Sequence, residues 1–144
     1  MASVSLYLNF KRNTEEAFNF YRSVFGTEFI GGVARMGDIP PQDGMPELDP
    51  ADKNLVMHVA LPLIGDFILM GTDAPESMGF TVNQGNNVYI NLQPDTRAEA
   101  DKLFQQLSQD GKIEQVMAEM FWGAYYGSCT DKFGVQWMLN VDKK

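Results

Sequence analysis

Tyr7-Leu8-Asn9-Phe10 and Tyr89-Ile90-Asn91-Leu92 are one phrase written twice, the second copy displaced by 82 residues, from position 7 to position 89. The pairs Asn13-Thr14 and Asp95-Thr96 keep the same displacement. In each copy a short alternating segment, which would place Leu and Phe or Ile and Leu on one face of a strand and Tyr and Asn on the other, runs into a helix start. Self-similarity of this kind marks a duplicated supersecondary unit.

The first helix is predicted to begin at Asn13, whose side chain is placed to accept from the free amides of the first turn while Glu16 reaches back. Ala17, Phe18, Tyr21, Val24 and Phe25 recur at helical spacing and define one buried stripe, and Gly26 suits a left-handed stop. The second copy follows the same rules: Thr96 caps, Glu99 completes the box, Ala100, Leu103, Phe104 and Leu107 form the stripe, and Gly111 ends it. Between the helices, 55–63 and 67–71 read as a β-hairpin bent at Ile64-Gly65-Asp66. Beyond the second helix, 114–120, 124–130 and 135–141 read as strands, the last two joined by a turn at Asp131-Lys132-Phe133-Gly134.

Each half thus reads strand, helix, then two or three strands. The expectation is a single α+β domain over 1–144, made of modules 1–78 and 86–144 linked through 79–85. Residues 36–54 interrupt the pattern with Pro40, Pro41, Pro46 and Pro50 among Gly and Asp. An irregular loop of this length serves as a lid, a partner-contacting arm or a solvated insertion.

A chain of 144 residues can bury a substantial core without disulfide or metal. Eleven Lys and Arg against nineteen Asp and Glu, a net charge of −8, leave little attraction for phosphate backbones or anionic lipid. Neither nucleic acid nor membrane is expected as a partner. No run approaches the roughly 18 apolar residues of a membrane span. Met1 to Ser5 carries no basic leader, and Cys129 is the only cysteine, so a cytoplasmic location is the expectation. Cys129 has no nearby histidine in sequence and reads as a small buried hydrophobe. With no glycine-rich phosphate loop, serine elbow or CxxC pair, nucleotide binding, serine hydrolysis and thiol exchange lack support.

The opening line Tyr7-Leu8-Asn9-Phe10, Asn13, Glu15-Glu16-Ala17, Phe20-Tyr21, Val24-Phe25-Gly26 resembles the start of PhnB-like proteins. The close resembles the same group through Phe121-Trp122-Gly123, Tyr126-Gly127, Asp131, Phe133-Gly134 and Trp137, and Val56-Met57-His58 is similar to its third strand. These proteins form a branch of the vicinal-oxygen-chelate superfamily of glyoxalases, bleomycin-resistance proteins and extradiol dioxygenases. The resemblance implies two βαβββ modules in tandem whose mixed sheets curl into cups, assembly as a homodimer, and small-molecule sites in the cups. It does not settle function, since members include metal-dependent lyases, isomerases and dioxygenases as well as metal-free binders.

Metal-using members take one His, Gln or Glu ligand from each of four strands. Carried onto this chain, those places fall at about Ser5, at Leu69 or Met70, at Asn87 and at Met138. Leu69, Met70 and Met138 offer no hard donor, so neither an inherited metal centre nor another cofactor is expected.

Alternation turns Tyr7 and Asn9, and likewise Tyr89 and Asn91, away from the helices and toward the concave side. Buried there, each Asn would need a partner: the other Asn, neighbouring backbone, or a ligand. His58, the only histidine, lies in an apolar strand; it is either a satisfied structural residue or the best single candidate for acid-base work. The run 119–126 combines Glu119 with Trp122 and Tyr125, which suits either an aromatic ligand wall or a core or dimer contact. Relatives often carry an arginine where Tyr125 stands, so an anionic ligand is not implied.

The expectation is a metal-free binder of a small organic molecule, with Tyr7, Asn9, Tyr89, Asn91, Trp122 and Tyr125 as its lining and His58 and Glu119 as catalytic candidates. The alternatives are a lyase, isomerase or dioxygenase with a relocated metal, and a scaffold or regulatory dimer.

Overall fold

The structure is a computed structural model, and it describes residues 2–40, 43–44 and 47–142. Pro41 and Pro46, named above in the irregular loop, lie outside the described residues. The chain divides into two compact units, Met1–Asn83 and Gln84–Lys144, a division inside the 79–85 stretch.

The first unit runs β1 (Leu6–Phe10), α1 (Thr14–Phe25), β2 (Ala34–Arg35), β3 (Val56–Pro62) and β4 (Ile68–Asp73). Its sheet has the order β1-β4-β3-β2, with β1 parallel to β4 and the other pairs antiparallel. The second unit repeats this with β5 (Ile90–Leu92), α2 (Arg97–Leu107), β6 (Lys112–Glu119), β7 (Tyr125–Thr130) and β8 (Gln136–Val141), ordered β5-β8-β7-β6. In each unit the first strand of the βαβββ module lies parallel to the last, which makes both sheets mixed.

Each sheet has one face covered by its helix. In β4, Leu69, Gly71 and Asp73 are buried while Ile68, Met70 and Thr72 are half-buried; in β8, Trp137, Leu139 and Val141 are buried on the covered side. The repeat fills this layer in opposite ways. Leu8 pairs with Gly71, where an added Cβ would lie 2.5 Å from the Phe18 ring of α1, so the large residue comes from the helix and the empty place from the strand. At the matching register Ile90 pairs with Trp137, and position 18 displaced by 82 is Ala100; both are fully buried. Helix and strand have exchanged large for small while the layer stays filled.

Local sequence rules hold at most element ends and fail at two. Gly26 takes the left-handed conformation that ends α1 (φ 65°), and the Thr96 hydroxyl accepts from the Glu99 amide. The Asn13 side chain makes no capping bond. The cap comes from Asp73 at the end of β4, whose Oδ1 accepts from the Thr14 amide (3.1 Å) and the Thr14 hydroxyl (2.7 Å). Gly111 does not terminate α2, which already ends with Ser108 as its C-cap. Its lack of a side chain answers a close approach instead: a Cβ there would lie 2.2 Å from the Thr130 carbonyl oxygen.

The 36–54 segment is less irregular than its prolines suggest. It contains 3-10 turns at Met36–Asp38 and Pro50–Asp52, and its base is closed by Met36 N–H to the Leu55 carbonyl and Gly37 N–H to the Lys53 carbonyl. Asp52, almost fully buried, accepts from Arg12 (2.7 Å) and from the Ser77 hydroxyl (2.5 Å), while Arg12 also donates to Glu76 and Ser77. This cluster holds the far end of the loop against the end of β1. Ser77 first, and then Arg12, keep the Asp52 carboxyl below the usual range.

Candidate functional site

The open face of the first sheet carries alternate residues of three strands: Tyr7 and Asn9 from β1, Met70 and Thr72 from β4, His58 and Ala60 from β3. The register sets Tyr7 beside Met70 and Ala60 beside Met70, with Thr72 next along β4. Tyr7 spans β4 to reach β3, its hydroxyl lying 3.1 Å from His58 Nδ1 with the rings tilted at 5.8 Å. Desolvation, only partly offset by Thr72, raises the Tyr7 phenol above its ordinary value, so it remains a neutral hydroxyl. A fixed Nδ1 leaves Nε2 for a ligand. Tyr7 is 44% exposed, so this pair is accessible and does not belong to the core.

Asn9 and Asn91 are both exposed, contrary to the expectation of buried amides seeking partners. They lie on the uncovered faces, where water solvates them, and the burial penalty does not arise.

In the second sheet the open face is set by β8 and β7: Gln136, Met138 and Asn140 pair with Thr130, Ser128 and Tyr126. Tyr89, just before β5, donates to Glu114 of β6 (2.8 Å), and Thr130 donates to the other oxygen of Glu114 (3.4 Å). The Tyr89 phenol is held above its usual value chiefly by that bond to Glu114. Trp122, in the turn between β6 and β7, sits 6.4 Å from the Tyr126 ring and edge-on to Phe121 at 4.9 Å. Phe121 is 98% exposed, so it fills no core. The amide of Gln136 donates to the Val88 carbonyl, whereas Asn140 Oδ1 has no donor.

Two sequence candidates are not brought to this face. Tyr125 pairs with Val141 on the helix-covered side, donates to Asp101 of α2 (2.5 Å) and lies under the Arg97 guanidinium at 4.8 Å. Glu119 pairs with Tyr125 and is bound by Arg97 at 3.3 Å. Adjacent strand residues point to opposite faces, so the tyrosine on the open side is Tyr126. Sequence reasoning missed Tyr126 and Glu114. Counting back by twos from buried Cys129 reaches Gly127 and Tyr125 and so leaves Tyr126 for the open side; Glu114 stands where the β6–β7 register shifts, and alternation alone does not place it.

The four strand places at which metal-using relatives ligate hold poor donors. Leu69 faces the helix, Met70 and Met138 are thioethers, and Ser5 and Asn87 are exposed neutral side chains. Among the described residues no three of His, Cys, Asp and Glu form a group able to hold a metal ion. These residues do not fit the inherited metal centre.

Cys129 is fully buried on the covered face of β7, and burial first, then Asp131 and Glu114, push its thiol up to about 12. A raised thiol stays protonated through neutral and mildly alkaline pH. Ellman's reagent is therefore expected to find no reactive thiol in the native protein at pH 8 and one equivalent in denaturant; rapid native labelling would contradict the packing.

Two tandem four-stranded mixed sheets, each with one helix, define a glyoxalase/bleomycin-resistance-like fold. A glyoxalase/bleomycin resistance protein/dioxygenase family enzyme from Burkholderia phytofirmans shares it, with a TM-score of 0.63 over 95% of this chain and 97% of that one at 19% identity, a likeness of fold alone. Residues 2–140 match the family described as 3-demethylubiquinone-9 3-methyltransferase, and the chain belongs to that PhnB-like family. Protein PA1353 from Pseudomonas aeruginosa is 31% identical over the whole of both chains, with a TM-score of 0.82. A PhnB protein from Bacillus cereus is 26% identical, covers 97% of this chain and 99% of its own, and has a TM-score of 0.72. The family's description does not carry methyl transfer to this chain. The loops entering α1 (Lys11-Arg12-Asn13) and α2 (Gln93-Pro94-Asp95-Thr96) contain no glycine and offer no cofactor cradle of the nucleotide-loop kind. No helix among the described residues is long and apolar enough to cross a membrane.

Proposed function

We propose that this PhnB-like protein binds a small organic molecule on the uncovered faces of its sheets, without a metal of the inherited type. The observation that carries the reading is the Tyr7–His58 pair: two polar-tipped rings joined across a strand, exposed, and bordered by Met70 and Thr72. Such a combination of apolar floor and directed hydrogen-bonding groups is what ligand sites use. Catalysis by His58 is the second reading and draws on the same pair, since Tyr7 would hold its ring while Nε2 moved a proton. Pairing of two copies is part of the proposal, supported by exposed Val116 and Phe121 at an edge of the second sheet. The single cysteine supports a cytoplasmic setting.

The test is a thermal-shift screen with a broad metabolite and antibiotic panel. At a ligand concentration of 100 times Kd a binder adds about 2.7 kcal/mol of stability, and the resulting rise in Tm should persist in EDTA. Tyr7→Phe and His58→Ala should each weaken a hit at the first face about tenfold without lowering the Tm of the free protein. A panel that shifts nothing, together with a Tm lowered by EDTA, would sink the proposal.

A further inference from the structure

The two open faces differ in charge, and we infer that the second one binds an organic cation, an amine or amidine attached to a flat apolar body. The inference rests on the reading of these faces as ligand sites and names the ligand class of one of them.

Glu114 supplies the charge. Its two oxygens accept only from neutral hydroxyls, those of Tyr89 and Thr130, which orient the carboxylate without neutralising it. It forms no ion pair among the described residues, and Lys112, two residues along the same strand, is not within ion-pair distance. The other acid of β6 near this region, Glu119, is bound by Arg97 on the covered side. A carboxylate held by two hydroxyls and left without a counter-ion favours a cation.

Lys112, which pairs with Thr130 in the register, is a cation on this face and makes no ion pair with Glu114; the other groups are aromatic or neutral. Tyr126 shares a face with Thr130, and the Trp122 ring, 57% exposed, stands beside it; aromatic faces attract cations and flat apolar bodies. Gln136 has already spent an amide hydrogen on Val88, and the unmet need at Asn140 is for a donor. An anion would meet acceptors and ring faces there. The first face, with Tyr7 and His58, carries no carboxylate in its pair, so the preference belongs to the second.

Three compounds with one body separate the possibilities: 4-phenylbutylamine, 4-phenylbutanol and 4-phenylbutyrate, titrated into the full chain at low salt and followed by NMR. The amine should bind about tenfold more tightly than the alcohol, and the carboxylate more weakly than either. Added salt should weaken the amine alone. Glu114→Gln, a change at an exposed side chain that should leave Tm unaltered, should remove the advantage of the amine. Trp122→Ala should weaken amine and alcohol alike. Equal binding of amine and alcohol, an advantage that survives Glu114→Gln, or no binding by any of the three overturns the inference. The broader proposal fails separately, when the panel and the Tyr7 and His58 variants fail.

Discussion

Replacing Asp131 by alanine is expected to remove about 4 kcal/mol of stability, the sum of several orphaned donors at roughly 1–3 kcal/mol each. Asp131 is 3% exposed and ties the turn between β7 and β8 together. One carboxylate oxygen accepts from the Phe133 amide (2.8 Å) and the Val135 amide (3.0 Å), and the other accepts from the Trp137 indole (2.8 Å). Trp137 has no exposed surface, so its N–H cannot turn to water when the carboxylate is gone. The same turn needs Gly134, whose φ of 86° other residues rarely adopt. Against a total of about 5–15 kcal/mol for a typical domain, this loss approaches unfolding. Urea titration at constant temperature should show the midpoint fall with the slope unchanged. In a Trp137→Phe background the same replacement should cost about 1–3 kcal/mol less, because the buried indole no longer needs an acceptor. A loss below about 1 kcal/mol from Asp131→Ala would mean that the carboxylate does not hold the turn.

Asp131 also shows what the C-terminal signature residues do. Phe133-Gly134 and Trp137 meet it in one unit that joins a buried carboxylate, a left-handed turn and a buried indole. The resemblance carried by that block was therefore readable for the fold, and it is silent on chemistry.

The duplicated architecture was legible because both copies obey local rules: alternation in β1 and β5, a helical stripe, and turn residues at 64–66 and 131–134. The site was legible in part. Tyr7 and His58 are 51 positions apart; alternation placed Tyr7 on the open face and left the side of His58 undecided, and only the β1-β4-β3 order brings the two rings together. Tyr125 and Glu119 were misplaced because a strand inverts its faces every residue, and in the aromatic run 121–126 apolarity marks neither side. Asn9 and Asn91 drew an expectation of burial from their place on the concave side. The helix covers one side of each sheet, and Asn9 and Asn91, on the other side, are exposed.

Removing Asp73 is expected to reach both the fold and the site. Its Oδ1 caps α1 through Thr14, and its Oδ2 accepts from the Val56 amide at 2.7 Å, so one carboxylate joins the start of the helix, the end of β4 and the start of β3. Nothing near Asn13 in sequence announces this, because the acceptor lies 59 positions from Thr14. Asn13→Ala should accordingly change stability by less than about 0.5 kcal/mol, although an N-cap that bonds typically contributes about 1. Asp73→Ala orphans two backbone amides and a hydroxyl in the buried layer, a loss of about 3 kcal/mol. His58 stands two residues beyond Val56 on the strand that Asp73 anchors, and Thr72, beside it in β4, borders the Tyr7–His58 pair. Loosening the start of β3 should let the 3.1 Å contact between the two rings open. Affinity for a first-face ligand should then fall in Asp73→Ala even at a temperature where the protein is folded, while binding at the second face stays as it was. Equal stability of the Asn13 and Asp73 variants would show that the helix is capped locally. Unchanged first-face affinity in folded Asp73→Ala would show that the pair is held by the sheet alone.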